Sequence, residues 1–354
     1  MTGRAPSIRD VARTAGVSTA TVSRTLSNPD IVSQTTRDAV FAAIRETGYR
    51  VNLAARNLRR QETGAITVLV PNLANPFFSR ILSGIARVMW DAGYNVLITD
   101  TTPMALDDHR FPEYFRLNQT DGLIVLDGML RRDLLLNRGA PETRPPMVFA
   151  CEWIDGLDRP SVTIDNRAAS AGAVRHLLDL GHTRIGHLGG PGGNVLSTTR
   201  LAGARGTLEA AGLTLRADWI YPGDFTLRAG AEAAARWLAS ADRPSAVFCT
   251  SDEMAMGFIG ELHRRDVHVP REVSVVGFDD LEIAAHFVPP LTTIHQPRAA
   301  IGAAAARMLL ERMKLPPRER ELRPIPRIIL PVELVIRHST APPPASGMPP
   351  RSGI

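Results

Sequence analysis

The chain has 354 residues, of which 44% are hydrophobic, 22% charged and 5% aromatic, and it carries a formal net charge of +5. That composition belongs to a globular protein of two or three domains and excludes wholesale disorder or a fibrous repeat. No run of the chain matches the roughly 18 apolar residues of a membrane span, and Met1 to Asp10 lack the apolar core of a secretory signal.

Cys151 and Cys249 are the only cysteines. Their separation argues against a disulfide framework or a cysteine-rich metal site, so a reducing cytoplasm is expected. The charge is unevenly placed. Residues 1–60 hold ten arginines against Asp10, Asp30, Asp38 and Glu46, an excess of six, which leaves −1 for the remainder. A small basic head on a near-neutral body is the electrostatic outline of a nucleic-acid binder, although a charged face can also be merely solvated.

In chain order, the head predicts three short helices. Ser7 and Asp10 form a capping-box-like start, Ile8, Val11, Ala12 and Ala15 follow at helical spacing, and Gly16 ends the helix. A second helix runs from Ser18 to Leu26 with Val22 and Leu26 inward. A third begins near Ser33, turns Val40, Ala43 and Ile44 inward, and stops at Gly48. Helices this short persist only by packing on one another.

The second helix then faces Thr19, Ala20, Ser23 and Arg24 outward, a set small enough to lie deep in a major groove. Arg24 suits a bidentate contact to a guanine edge, and Thr19 and Ala20 suit base or thymine-methyl contacts. Ser18, Thr21, Ser23, Asn28, Ser33 and Thr36 suit the sugar–phosphate backbone. The alternative is an amphipathic helical hairpin docked on the body or on another protein.

Residues 51–63 form a basic, helix-compatible linker too polar to be stable alone, which suits a segment that orders on binding. From Ala65 onward, strands and helices alternate. Residues 66–70, 95–98, 122–126, 147–150 and 162–164 make one strand series; 184–188, 246–249 and 274–277 make a second. Helices Phe78–Ala92, Ala168–Leu180, Ala229–Ser240 and Glu253–Arg265 lie between them. Two such series predict two α/β lobes with parallel sheets, and a ligand cleft at the C-terminal strand ends. Ile81, Ile85 and Met89 form a stripe that suits either a subunit interface or the core.

An enzyme is the rival from another class. Gly189-Gly190-Pro191-Gly192-Gly193 lacks the G-x-G-x-x-G order, the sole lysine is Lys314, and no zincin or nucleophile-elbow motif occurs. The nine histidines show no metal-ligand spacing. No reaction, cofactor or metal is expected.

Ile8-Arg9-Asp10-Val11-Ala12, then Gly16-Val17-Ser18-Thr19-Ala20-Thr21-Val22-Ser23-Arg24, then Tyr49 and Asn52-Leu53-Ala54-Ala55-Arg56 resemble the DNA-binding head of the LacI/GalR family of bacterial transcription regulators. The resemblance covers roughly residues 6–340. It implies a helix-turn-helix head (1–50), a hinge helix (51–63) and a two-lobed periplasmic-binding-protein-like core (64–340); the tail (341–354), with five prolines in fourteen residues, is expected to be disordered. The N-lobe is expected over 64–164 and about 295–325, and the C-lobe over 165–290 and about 328–340. Crossings are placed near Asp165, between Pro290 and Gln296, and near 323–328.

In the hinge, the resemblance implies minor-groove contacts from Asn52, Ala55 and Arg56 and an apolar wedge at Leu58. Val51 stands where the family usually has proline, which leaves the hinge start less preorganised. In the cleft it implies an apolar wall from Asn75, Phe77 and Phe78 and an arginine contact from Arg200. It also implies ring stacking by Phe225 and polar contacts from Ser251, Asp252, Asp279 and Gln296. Asp127 and Glu152 end strands and join the candidates.

Carboxylates, one arginine and flanking aromatics suit a sugar or nucleoside. The runs Met147–Glu152 and Ser27–Gln34 are similar to the cytidine-repressor branch. The implied function is a homodimeric repressor of a pseudo-palindromic operator under small-molecule control. A solute-binding protein sharing the two-lobed core is the other alternative.

Overall fold

The computed structural model describes residues 6–49, 63–102, 120–136 and 145–344. The chain divides into two compact units at Thr63 and Gly64.

The head unit holds α1 (Ile8–Thr14), α2 (Thr19–Ser27) and α3 (Gln34–Thr47), with a 3-10 turn at Pro29–Ile31. The Asp10 carboxylate accepts hydrogen bonds from both the backbone N–H (2.9 Å) and the hydroxyl (2.7 Å) of Ser7, which fixes the start of α1. Gly16 and Gly48 both take the left-handed conformation, at φ +65° and +66°, and so end the helices before them. Val11, Ala12, Val22, Val40 and Ala43 make the core, with Leu26 and Ile44 packed against it. Thr25 is also fully buried, its hydroxyl donating to the Thr21 carbonyl at 2.9 Å.

The body unit contains two parallel sheets. The N-lobe strands are β1 (Ala65–Val70), β2 (Asn95–Asp100), β3 (Gly122–Val125), β4 (Met147–Ala150), β5 (Ser161–Ile164) and, from far along the chain, β11 (Arg327–Leu330). They lie in the order β11-β5-β4-β3-β1-β2. The C-lobe strands are β6 (Ile185–Leu188), β7 (Ile220–Tyr221), β8 (Ala246–Cys249) and β9 (Ser274–Val276), in the order β7-β6-β8-β9. An antiparallel pair, β10 (Thr293–His295) and β12 (Glu333–Val335), forms a separate ladder that parallel bridges at Val276–Thr292 and Asp279–His295 tie to the C-lobe sheet.

Helix α4 (Phe77–Asp91) packs on the N-lobe sheet together with the helix Arg298–Met313. The contact is close because two glycines face it: a Cβ on Gly84 would stand 2.1 Å from the Ala299 carbonyl oxygen, and one on Gly302 would stand 2.0 Å from that of Ile81. Ile81, Ile85 and Met89 have no exposed surface at all. Their stripe is therefore core beneath this helix pair, which corrects the interface option.

The lobes are joined at three places. The chain leaves β5 at Asp165, whose carboxylate accepts from the Ala168 N–H at 2.8 Å and so caps helix Asn166–Asp179 of the C-lobe. It returns after β10 at Gln296–Pro297. The third crossing differs from the expectation. Arg327–Leu330 pairs in register with Ser161–Ile164, so it is the sixth N-lobe strand, and the chain crosses at Pro331–Val332 rather than at 323–328. The N-lobe thus extends to Leu330, beyond 325. Strand β11 hides from a burial argument because it is an edge strand whose isoleucines stay exposed, Ile329 at 65%.

The start of the expected tail is also ordered. The Ala341 N–H donates to the Ser274 hydroxyl at 3.0 Å, and its carbonyl accepts from that hydroxyl at 2.9 Å. His182 Nε2 lies 2.9 Å from the same carbonyl. The carbonyl of Ser339, just before, accepts from the Val275 N–H at 2.8 Å and so covers the β9 edge. The rest of the expected tail, 345–354, lies outside the described residues. Among the described residues no helix is long and apolar enough to cross a membrane.

Candidate functional site

In the head, Ser18, Thr19, Ala20, Ser23, Arg24, Asn28 and Ser33 are exposed, and Thr21 and Thr36 are half-buried. Burial of Val22 and Thr25 on the other side of α2 is what turns Thr19, Ala20, Ser23 and Arg24 outward together. Ser18 caps α2 by accepting from the Thr21 N–H at 3.0 Å, and Ser33 caps α3 from the Thr36 N–H at 3.3 Å. In each cap the two hydroxyls also pair, at 2.9 Å. The N-termini of α2 and α3 are therefore both rimmed with hydroxyls. That is the arrangement in which backbone N–H groups and the helix dipole favour phosphate. Asn52, Ala55, Arg56 and Leu58 lie outside the described residues.

The second site lies between the lobes of the body, where a cavity of about 850 Å³, its mouth included, opens at the strand ends. Most of the expected cleft residues meet there. Asn75, Phe77, Phe78, Asp127 and Glu152 line it from the N-lobe, and Arg200, Phe225, Ser251 and Asp279 from the C-lobe. Phe77 and Phe78, edge to face with centroids 5.2 Å apart, serve as wall and core at once, since both are buried and both line the cavity.

Two candidates do not line it. The Asp252 carboxylate is fully buried and accepts from the Leu281 N–H at 2.7 Å and the Thr293 hydroxyl at 2.6 Å, so it braces a C-lobe loop to β10. Gln296 stands behind Asp279 and donates to its carboxylate at 2.7 Å. Thr102, Met129, Asn194 and Asp224 line the cavity although sequence reasoning does not single them out. Asn194 has a legible signal, an N-cap residue following a strand and a Gly-rich turn. Its side chain accepts from the Leu196 and Ser197 N–H groups, and its amide donates across the cleft to Glu152 at 3.0 Å.

The walls of the cleft are acidic and mostly buried. Burial pushes the Glu152 carboxyl up to about 7, against hydrogen bonds from the Gly128 N–H (2.7 Å) and Asn194. Burial also raises Asp127, which accepts from the Thr101 hydroxyl and from the Met129 N–H at 2.8 Å, and raises Asp279, partly offset by the Arg200 charge. Arg200 is 2% exposed. It donates to Asn166 Oδ1 at 2.9 Å and to the Thr250 carbonyl at 2.7 Å, and its guanidinium lies 3.7 Å from the centre of the Phe278 ring. Backbone conformation also shapes the site. The lining residues Phe225 and Asp279 take positive φ, at +63° and +125°, and Cys151, next to Glu152, does so at +69°. Such conformations persist only where their surroundings over-determine them.

The known proteins to which this chain is similar agree on what carries two such sites. Residues 7–52 match the model described as bacterial regulatory proteins, lacI family, and residues 174–340 match a periplasmic binding protein-like domain. The chain is 41% identical over 310 residues to the HTH-type transcriptional repressor CytR of Escherichia coli (strain K12), covering 88% of this chain and 90% of that protein. This chain belongs to the lacI family of bacterial regulatory proteins.

The regulator is also 36% identical to the HTH-type transcriptional repressor PurR of Photobacterium profundum, over 94% of this chain and 98% of that protein. Among solved structures, it resembles the lac repressor dimer bound to operator and the anti-inducer ONPF (TM-score 0.81, 27% identity, 96% and 100% coverage). It also resembles a complex of the transcriptional regulator CelR with cellobiose (TM-score 0.69, 30% identity, 94% and 99% coverage). The regulator is a DNA-binding transcription factor with a helix-turn-helix head and a two-lobed α/β body.

Proposed function

We propose that this regulator is a repressor that binds a pseudo-palindromic operator as a homodimer, and that an uncharged, hydroxyl-rich ring compound, a sugar or nucleoside, governs its grip. The observation that carries the reading is the cleft. Three buried carboxylates, one buried arginine and three phenylalanines converge from two lobes on one small-molecule-sized space. Hydroxyl or amino groups of a ring supply donors to Asp127, Glu152 and Asp279, while Phe77, Phe78 and Phe225 supply apolar faces. The CelR–cellobiose complex supports a sugar-sized occupant, and the operator-bound lac repressor dimer supports two-fold assembly on DNA. Two-fold protein symmetry requires two-fold symmetry in the operator.

The named relatives are transcriptional repressors, and the reading assigns no reaction to the cleft. In the head, Arg24 reads a base edge, Thr19 and Ala20 touch bases, and Ser18, Thr21, Ser23, Asn28, Ser33 and Thr36 hold the sugar–phosphate backbone. Asn52, Ala55, Arg56 and Leu58 extend the contact into the minor groove. The test is a thermal-shift screen of sugars, nucleosides and purine bases on the full chain, followed by operator binding with each compound that raises the melting point. A sugar or nucleoside that stabilises the chain and shifts operator affinity is expected. Stabilisation by none of them, or stabilisation without change on DNA, overturns the reading.

A further inference from the structure

The loop from Asp279 to Glu282 faces the cleft with only its first residue, yet every member is tied to something else. Asp279 receives Gln296, and its own N–H donates to the Ile294 carbonyl at 2.9 Å. The Leu281 N–H is held by Asp252. Glu282 pairs with Arg80 of α4, across the lobes, at 2.7 Å. Asp280 carries the most connections, although it does not line the cavity. One carboxylate oxygen lies 2.8 Å from His295 Nδ1, on the strand that leads to the second crossing. The other accepts from Arg337 at 2.7 Å, on the chain just after the third crossing. Its backbone carbonyl accepts from Arg298, at the start of an N-lobe helix, at 3.0 Å.

The backbone here is held in a conformation that non-glycine residues seldom adopt. Asp279 and Asp280 stand in succession at φ +125° and +52°. Each such residue is strained unless its surroundings enforce it. The enforcing contacts come from two of the three crossings between lobes. Arg337 is itself fixed: its guanidinium donates to the Leu291 carbonyl at 2.8 Å, and its backbone N–H donates to the Thr292 hydroxyl at 2.9 Å.

We propose that Asp280 is a positioning residue that pins Asp279 in the cleft to both crossing strands, so that the placement of Asp279 and the angle between the lobes are set together. Removing the Asp280 carboxylate frees His295 and Arg337 from a common anchor and lets the lobes sample several angles. A contact that moves Asp279 is passed through Asp280 to the two crossing strands. The proposal depends on the effector reading only for the role of Asp279. The measurement that tests it needs no effector, so failure of the compound screen and failure of this proposal are told apart.

The test reads the distance between spin labels on two introduced cysteines in the full chain, Ala86→Cys on α4 and Ala235→Cys on the C-lobe helix Leu227–Ala239, both exposed positions. The native Cys151 and Cys249 are buried. Labelled chain is mixed with excess unlabelled chain, so that one labelled copy is read in any oligomer. The parent gives one narrow distribution. Asp280→Ala and Asp280→Asn broaden it about twofold as one conformational basin gives way to several. Arg216→Ala, which removes two exposed C-lobe ion pairs, controls for simple loss of stability and leaves the distribution unchanged.

An unchanged mean and width in folded Asp280→Asn overturns the proposal, as does equal broadening in Arg216→Ala. Should both substitutions at 280 prevent folding, His295→Gln and Arg337→Gln each cut one tie. Broadening in either supports the pin, and broadening in neither overturns it.

Discussion

The outward face of α2 and the cleft of the body both gather polar side chains, but they do so under opposite physical conditions. In the head, Ser18, Thr19, Ala20, Ser23 and Arg24 are exposed, and Ser18 also caps α2. In the cleft, Glu152, Arg200 and Asp279 are almost wholly withdrawn from water, and any charge they carry depends on specific neighbours. An exposed residue on this face that caps no helix can therefore change at little cost to folding. A buried polar residue lining the cleft also holds neighbouring groups of the fold, so a substitution there reaches beyond the cavity.

The sharpest way to break that contrast is Arg200→Ala. It leaves Asn166 and the Thr250 carbonyl without their donor and removes one of the two cations near Asp279, and it should cost about 1–3 kcal/mol for each acceptor left unsatisfied in denaturant unfolding of the full chain. A loss below about 1 kcal/mol, the size of an ordinary surface change, would mean that the cleft tolerates substitution as the head does.

Glu152→Gln tests the same contrast through pH. The folded carboxyl titrates near 7, above its ordinary value of 4.5, because burial penalises the ion. The folded chain therefore holds a proton that the unfolded chain releases between these values, and stability falls as pH rises through that window. Above pH 7 the full penalty stands, about 3 kcal/mol at most. Glu152→Gln keeps an acceptor for Gly128 and Asn194 and removes the penalty, so its stability relative to the parent should rise between about pH 4.5 and pH 8. Melts at the two pH values check this, and a pH-independent difference would refute it.

Smaller effects belong to the head. Arg24→Ala should leave the melting temperature close to that of the parent while costing about 1–3 kcal/mol on operator and far less on random duplex, measured by competition binding. Equal weakening on both would reduce Arg24 to a phosphate contact. Ser18→Ala removes the cap of α2 and should cost about 1 kcal/mol of head stability, read by hydrogen exchange of the α2 amides. Unaltered exchange would show that the cap is dispensable.

Much of this is legible in the amino-acid order, because local rules decide it. Ser7 with Asp10, Ser18, Ser33, Gly16 and Gly48 set the ends of the head helices by hydrogen bonding and by the freedom of glycine, and both act within a few residues. Strand and helix alternation likewise announces two α/β lobes, and residues at strand ends are the natural cleft candidates. The misses share a different cause. Asp252 and Gln296 sit at the right places in the chain, yet their side chains turn to Thr293, Leu281 and Asp279, partners that are distant in sequence. Strand β11 reads as a crossing because its isoleucines are neither alternating nor buried. Ala341 reads as loose tail because nothing nearby in the chain reveals the waiting Ser274 and His182.

Order along the chain by itself determined the three-helix head, its outward Thr19-to-Arg24 face and the alternating body, since capping, periodicity and charge placement are short-range properties. Only the tertiary structure decided which acids open on the cleft, which brace the lobes, and where the chain crosses between them. Burial and long-range hydrogen bonding assign a carboxylate its role, and both depend on neighbours that the fold alone brings within about 3 Å.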